Sequence, residues 1–105
     1  MDKVIKEQAI QRQILDYLKL KGFLAFKFNN YGLRGRKTYT VGISDIIGCD
    51  KNGRFVAIEV KKKGGKPTLE QTFFLERVSH NNGIAILAYS LDDVIDKLET
   101  TRKVK

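Results

Sequence analysis

Gly42-Ile43-Ser44-Asp45-Ile46-Ile47 and Phe55-Val56-Ala57-Ile58-Glu59-Val60-Lys61 are two short apolar segments that carry charges where a core element should have none. Both read as buried strands, in which a carboxylate rarely sits without a partner. Side chains alternate across a strand, so Glu59 and Lys61 point to one face while Ile58 and Val60 point to the other. An acid and an ammonium therefore project together from a core element. If the two strands are neighbours, Asp45 joins them. An Asp, a Glu and a Lys on a rigid sheet make a hard oxygen site for Mg²⁺ or Mn²⁺ beside a proton-transfer or charge-stabilising group.

Between the two segments, Asp50-Lys51-Asn52-Gly53 reads as a hairpin turn whose Asn-Gly pair favours positive φ, which makes the strands antiparallel neighbours. Working outward, Val4 to Leu20 is expected to be helical, with Ile10, Ile14 and Leu18 on one stripe and Gly22 as C-cap. Phe23 to Phe28 reads as a strand, and Asn29 to Lys37 as a polar, glycine-containing loop. A helix is expected from near Thr68, a fully apolar strand over Ile84 to Tyr89, and a last helix from Ser90 to about Glu99. The basic tail Arg102-Lys103-Val104-Lys105 is expected to fray. The order αβββαβα predicts an α/β fold with a central mixed sheet flanked by helices, in one domain over residues 1–105.

The 105 residues leave no room for a second core. Twenty Lys and Arg against 12 Asp and Glu give a net charge of +8, which attracts polyanions, nucleic acid first and an anionic membrane surface by the same charge. Met1 to Glu7 has no apolar signal-peptide core and no stretch is long enough to span a bilayer, so a cytoplasmic protein without a membrane partner is expected. One cysteine and one histidine exclude an intrachain disulfide, a cysteine zinc cluster and a two-histidine metal site. Cys49 reads as a small buried apolar residue and His80 as a surface residue near a helix end.

Each assignment has a plainer rival. Asp45 serves equally as a strand-end acceptor of backbone hydrogen bonds, and Glu59 with Lys61 as an exposed edge pair. Glu7 lies three residues before Ile10 and seven before Ile14, on the buried stripe of the first helix, where a carboxylate needs a partner unless it only complements the helix dipole. Thr68 and Gln71 fit a Thr-x-x-Gln capping box, yet Gln71 also shares a face with Phe74, Leu75 and Val78 and is placed to reach a water or phosphate. Lys62, Lys63 and Lys66 beside Gly64-Gly65 read as phosphate-backbone contacts, as do Arg34, Arg36 and Lys37, with Tyr31 or Tyr39 stacking on a base. A run of lysines is otherwise simply a solvated loop.

Asp45 followed by Glu59-Val60-Lys61 resembles the PD-(D/E)XK nuclease signature. The longer string Ile58-Glu59-Val60-Lys61-Lys62-Lys63-Gly64-Gly65-Lys66, with Thr68 and Gln71, is similar to its VRR-NUC branch. Ser44 stands where the proline usual before the first motif aspartate would be; that proline ligates nothing. The resemblance implies a restriction-endonuclease-like core and a metal-dependent endonuclease acting on DNA. Asp45, Glu59 and the Val60 carbonyl would hold Mg²⁺ or Mn²⁺, and Glu7 would be a further ligand, direct or through water. Gln71 would join Asp45, Glu59 and Lys61 in catalysis, with Lys61 orienting or deprotonating water or offsetting phosphate charge. No small-molecule cofactor is expected. The resemblance further implies a stand-alone phage or prophage domain. Branched DNA, four-way junctions above all, is the expected substrate, and a homodimer the expected state, since paired incision needs two sites. The rivals are a monomer that nicks flaps or single strands, an archaeal-type junction resolvase, and a binding module that has lost catalysis.

Overall fold

A computed structural model describes the backbone of residues 2–28 and 41–103, and the side chains of 6–28 and 41–100. At its centre the Asp50–Gly53 turn joins β2 (Ile46–Cys49) to β3 (Phe55–Val60) as antiparallel neighbours, with Ile46 opposite Ile58 and Cys49 opposite Phe55. Of the Asn-Gly pair only Gly53 takes a positive φ, at 84°. Gly53 N–H donates to the Asp50 carbonyl at 3.0 Å and Asp50 N–H to the Arg54 carbonyl at 2.9 Å. The connection is thus a type I turn closed by a left-handed glycine, one residue longer than the tightest hairpin.

On one side β1 (Leu24–Lys27) pairs antiparallel with β2; on the other β4 (Ile84–Ala88) pairs parallel with β3, giving the order β1-β2-β3-β4. A parallel pair needs a crossover. The helix α2 (Leu69–His80) supplies it, while α1 (Asp2–Leu20) and α3 (Leu91–Lys103) complete the αβββαβα order. None of these helices is long and apolar enough to cross a membrane.

The core lies on one face of the sheet, where Ile46, Val56, Ile58, Val60 and Ile86 meet Ile14 and Leu18 of α1 and Val94 and Leu98 of α3. Burying each such side chain stabilises the fold by roughly 1.5–3 kcal/mol, and Ile58→Ala would cost about 2–5 kcal/mol. The opposite face is covered by α2, which packs on β3 and β4 and buries Val78. Val56 to Val60 are therefore buried on both faces. Over β1 and β2 that second face is open: Leu24 is 65% and Phe26 52% exposed. Cys49, expected to be buried, is half-buried on that open face, opposite Leu24.

Most element ends shift by a residue or two, and three differences bear on the fold. Gly42 to Asp45 is a turn and bend, and the strand begins only at Ile46. Gly42 takes φ +87° against α2, where an added Cβ would meet the Glu70 carbonyl at 2.5 Å, so the chain cannot run extended there. The last helix continues to Lys103 and takes in two residues of the expected frayed tail. The first strand is shorter, Leu24–Lys27, because Gly22 and Phe23 close α1 through bonds to Lys19 and Leu18 carbonyls.

Candidate functional site

One step of the register beyond Ile46 and Ile58 brings Asp45 opposite Glu59. The ladder stops there because the Asp45 side chain takes over: its Oδ2 accepts the Val60 N–H at 2.9 Å. The Asp45 carbonyl accepts the Phe28 N–H at 2.7 Å, so this residue is fixed between β1 and β3 although it belongs to no strand. The Lys61 N–H donates the other way, to the Ala88 carbonyl at 3.0 Å. Within a strand the N–H and C=O of one residue point to the same side. The Val60 carbonyl therefore faces the Asp45 side of β3.

Glu59 is 1% exposed. Its Oε2 accepts a hydrogen bond from Gln71 Nε2 at 2.9 Å and stands 3.7 Å from Lys61 Nζ. Its Oε1 is buried with no hydrogen-bond partner. Burial, then the charge of Asp45, push the Glu59 carboxyl up to about 8, against the pull of Lys61. Asp45 is raised too, chiefly by burial, with the Val60 N–H, a proton shared with the Glu59 carboxyl and then Lys61 opposing, and the charge of Glu7 adding to the rise. Two carboxylates pressed together in this way favour a proton or a cation between them.

Gln71 fills the capping role and reaches Glu59 as well. Its N–H donates to Thr68 Oγ1 at 3.1 Å and its Oε1 accepts the Thr68 N–H at 2.8 Å, a complete capping box at the start of α2. With its oxygen held by the cap, its Nε2 is left to face Glu59. Glu7 is half-buried on the α1 stripe and has found a backbone partner, accepting the Lys62 N–H at 3.0 Å. Among the described residues no three His, Cys, Asp or Glu side chains gather as a metal cluster. Glu7 thus stands beside the Asp45–Glu59 pair, tying α1 to the exit of β3. Lys62 is half-buried and Lys63 and Lys66 exposed along the next loop, whose Gly65 carbonyl accepts the Tyr89 hydroxyl at 2.9 Å. Arg34, Arg36, Lys37, Tyr31 and Tyr39 lie outside the described residues.

Two residues escaped the sequence reading. Gln11 is buried with Oε1 unpartnered, and Ser44 is buried with Oγ unpartnered. Gln11 follows Glu7 by four on the same helical face, a spacing that would have found it. Ser44 sits in the bent segment just before β2, where no strand pattern marks a buried side chain.

The donor set fits a small divalent cation. Asp45, the free Glu59 oxygen and the Val60 carbonyl are hard oxygens, and Mg²⁺ is commonly bound through one or two carboxylates with several waters retained. A sheet of three antiparallel strands and one parallel strand, with helices on both faces and paired acids at the end of β3, is the restriction-endonuclease-like core. Within that class the fold is that of a VRR_NUC domain. One solved structure described as "VRR_NUC domain" superposes with a TM-score of 0.69 at 23% identity, over 90% of this chain and 95% of that one. A second, described as "VRR_NUC domain protein", gives 0.65 at 22% identity, over 94% and 89%. No family model matches the sequence, nor does any curated protein sequence.

Proposed function

We propose that the chain is a VRR-NUC nuclease, an endonuclease that hydrolyses DNA phosphodiester bonds with Mg²⁺ or Mn²⁺ as cofactor. The observation that carries this reading is Glu59, a buried carboxylate with one unpartnered oxygen opposite a second carboxylate. Leaving such a group charged in a core costs stability unless a proton or a cation joins it, and a role in the fold alone calls for neither. Once bound, the cation supplies a water of lowered pKa and offsets charge on the scissile phosphate. Asp45, Glu59 Oε1 and the Val60 carbonyl would hold it, with Glu7 a further ligand, direct or through water. Gln71 keeps Oε2 engaged, so that Oε1 is the oxygen on offer. Lys61, 3.7 Å from Glu59, orients the water or offsets phosphate charge, and Lys62, Lys63 and Lys66 contact the backbone of the substrate. The VRR_NUC fold supports the reading as that of a nuclease-domain family.

The substrate in this reading is branched DNA, four-way junctions above all, cut by a two-fold dimer in the cytoplasm of a phage or prophage host. Its support is the one carboxylate site among the described residues, since opposing strands need two sites, and the exposed Leu24, Phe26, Phe55 and Phe73, which offer apolar area for a second copy. The test is labelled linear, flap and four-way DNA incubated with Mg²⁺, Mn²⁺ or EDTA, with light scattering of the protein alone. Paired cuts of the junction with metal only, from a dimer, are expected. Undiminished cutting in EDTA would overturn the metal site. A monomer that nicks one strand per encounter would replace the junction reading with flap or single-strand nicking.

A further inference from the structure

The other end of the sheet carries a cleft that the proposed reaction does not use. It opens between the end of α1, the Asp50–Arg54 turn and the start of β4, with a volume of about 900 Å³. Tyr17, Phe23, Ile84 and Leu98 give it an apolar wall, and Leu20 stands at its lip 86% exposed. Among the described residues three cations line it, each resting against a neighbouring group. Lys21 Nζ lies 5.6 Å from the centroid of the Tyr17 ring. The Lys51 stem lies over Gly22, close enough that an added Cβ there would meet its Cδ at 3.0 Å. Arg54 Nε donates to the Asn82 carbonyl at 2.6 Å. None of the three makes a salt bridge among the described residues. Among the described residues one acid lines it, Asp50, whose Oδ1 is engaged by the Asn52 and Arg54 N–H groups. Cations already resting against a ring, a backbone or a carbonyl have given up part of the side-chain entropy that binding an anion would cost.

We propose that this cleft docks an acidic peptide segment of a partner protein, anchored by an apolar side chain. The charge of the rim and the aliphatic wall match the two halves of such a segment. Position argues against the cleaved nucleic acid as occupant. The cleft and the carboxylates lie at opposite ends of β3, about 20 Å apart for six residues. They also open on opposite faces, the cleft between α1 and α3 and the carboxylates toward α2. Beyond the Tyr17 and Leu20 ridge the adjoining groove carries Asp16 and Asp92. A phosphodiester chain, negative at every nucleotide, would be repelled there. A short peptide needs its acids over the cleft alone.

The experiment titrates the full chain into a fluorescein-labelled peptide of four aspartates followed by Leu-Phe and reads anisotropy. Saturable binding with a Kd on the order of 10–100 µM is expected, weakening with salt. Lys21→Glu combined with Lys51→Glu is expected to weaken it about tenfold or more, and Leu20→Ser several-fold, with melting curves and DNA cleavage unchanged. Glu59→Ala is expected to bind the peptide like the parent chain, which separates this proposal from the nuclease reading. Three outcomes would overturn it: no saturation below about 1 mM, equal binding of the peptide with asparagine for aspartate, or equal displacement by a ten-nucleotide oligo-dT. The last would make the cleft a nucleic-acid surface.

Discussion

Two aspartates flank β2, and their surroundings differ. Asp50 follows the strand at the turn end, where its Oδ1 accepts the Asn52 and Arg54 N–H groups at 2.9 Å each, and it faces cations across an open cleft. Asp45 precedes the strand, accepts one backbone N–H, and faces the buried Glu59 with Glu7 adding its charge. Asp50 has what a turn aspartate needs. Asp45 satisfies part of its demand and shares a like charge in a dry place, an arrangement a merely structural residue has no reason to keep. Residue type is therefore a poor guide to role. Burial and the sign of the nearest charge discriminate.

The largest expected effect separates the two directly. Asp45→Ala or Glu59→Ala should lower metal-dependent cleavage about a thousandfold or more with fold and DNA binding retained, because binding rests on basic residues. Asp50→Ala should leave the cleavage rate intact and cost about 0.5–1.5 kcal/mol of stability through the two lost hydrogen bonds of this exposed turn. Full activity of Asp45→Asn with Mg²⁺ would erase the distinction.

Next is the pH dependence of the metal-free protein. Folding raises the Glu59 carboxyl from 4.5 to about 8, so between those values the folded chain binds more protons than the unfolded one. Stability then falls as pH rises. The contribution is fully present below about 4.5 and is lost as pH passes through about 8, a change of a few kcal/mol at most. Thermal melts in EDTA from pH 5 to 8.5 should show the decline, and Glu59→Gln should flatten it. A flat profile in the parent chain would mean that Glu59 is solvated in solution.

Among the lysines the expected differences are smaller. Lys61→Ala should reduce turnover far more than DNA affinity. Lys62→Ala, Lys63→Ala and Lys66→Ala should each weaken binding and flatten its salt dependence by up to about one unit of slope. Equal loss of binding by Lys61→Ala, with normal single-turnover cleavage, would move Lys61 from the site to the basic loop. The smallest effect tests the cap. Thr68→Ala should cost about 1 kcal/mol of stability and, by freeing Gln71 from its cap, weaken Mn²⁺ binding several-fold, while Thr68→Ser restores both. Unchanged Mn²⁺ affinity in Thr68→Ala would show that the cap and the carboxylate site are independent.

Much of this was legible in the chain because local signals agree. Alternation placed Glu59 and Lys61 on one face, Asn52-Gly53 required β2 and β3 to be antiparallel neighbours, and Thr68-x-x-Gln71 marked the start of α2. The periodicity that put Glu7 on a buried stripe also implied a partner, but the partner proved to be the Lys62 N–H, 55 residues away, which no local pattern encodes. Gly42 to Asp45 misled for a related reason. Its apolar residues read as strand, whereas its backbone is bent by packing against the first turn of α2.

The sequence by itself determined the order of elements, the positions of the acids and the basic character of the loop after β3, since each follows from periodicity, turn chemistry or composition within a few residues. Only the tertiary structure decided that Glu59 lies buried with one oxygen unpartnered, that Gln71 serves cap and carboxylate at once, and that Leu24 and Phe26 remain open to solvent. Those outcomes depend on which helix covers which half of the sheet. Burial, desolvation and the pairing of distant groups are properties of that packing, and they exist only once the layers have closed.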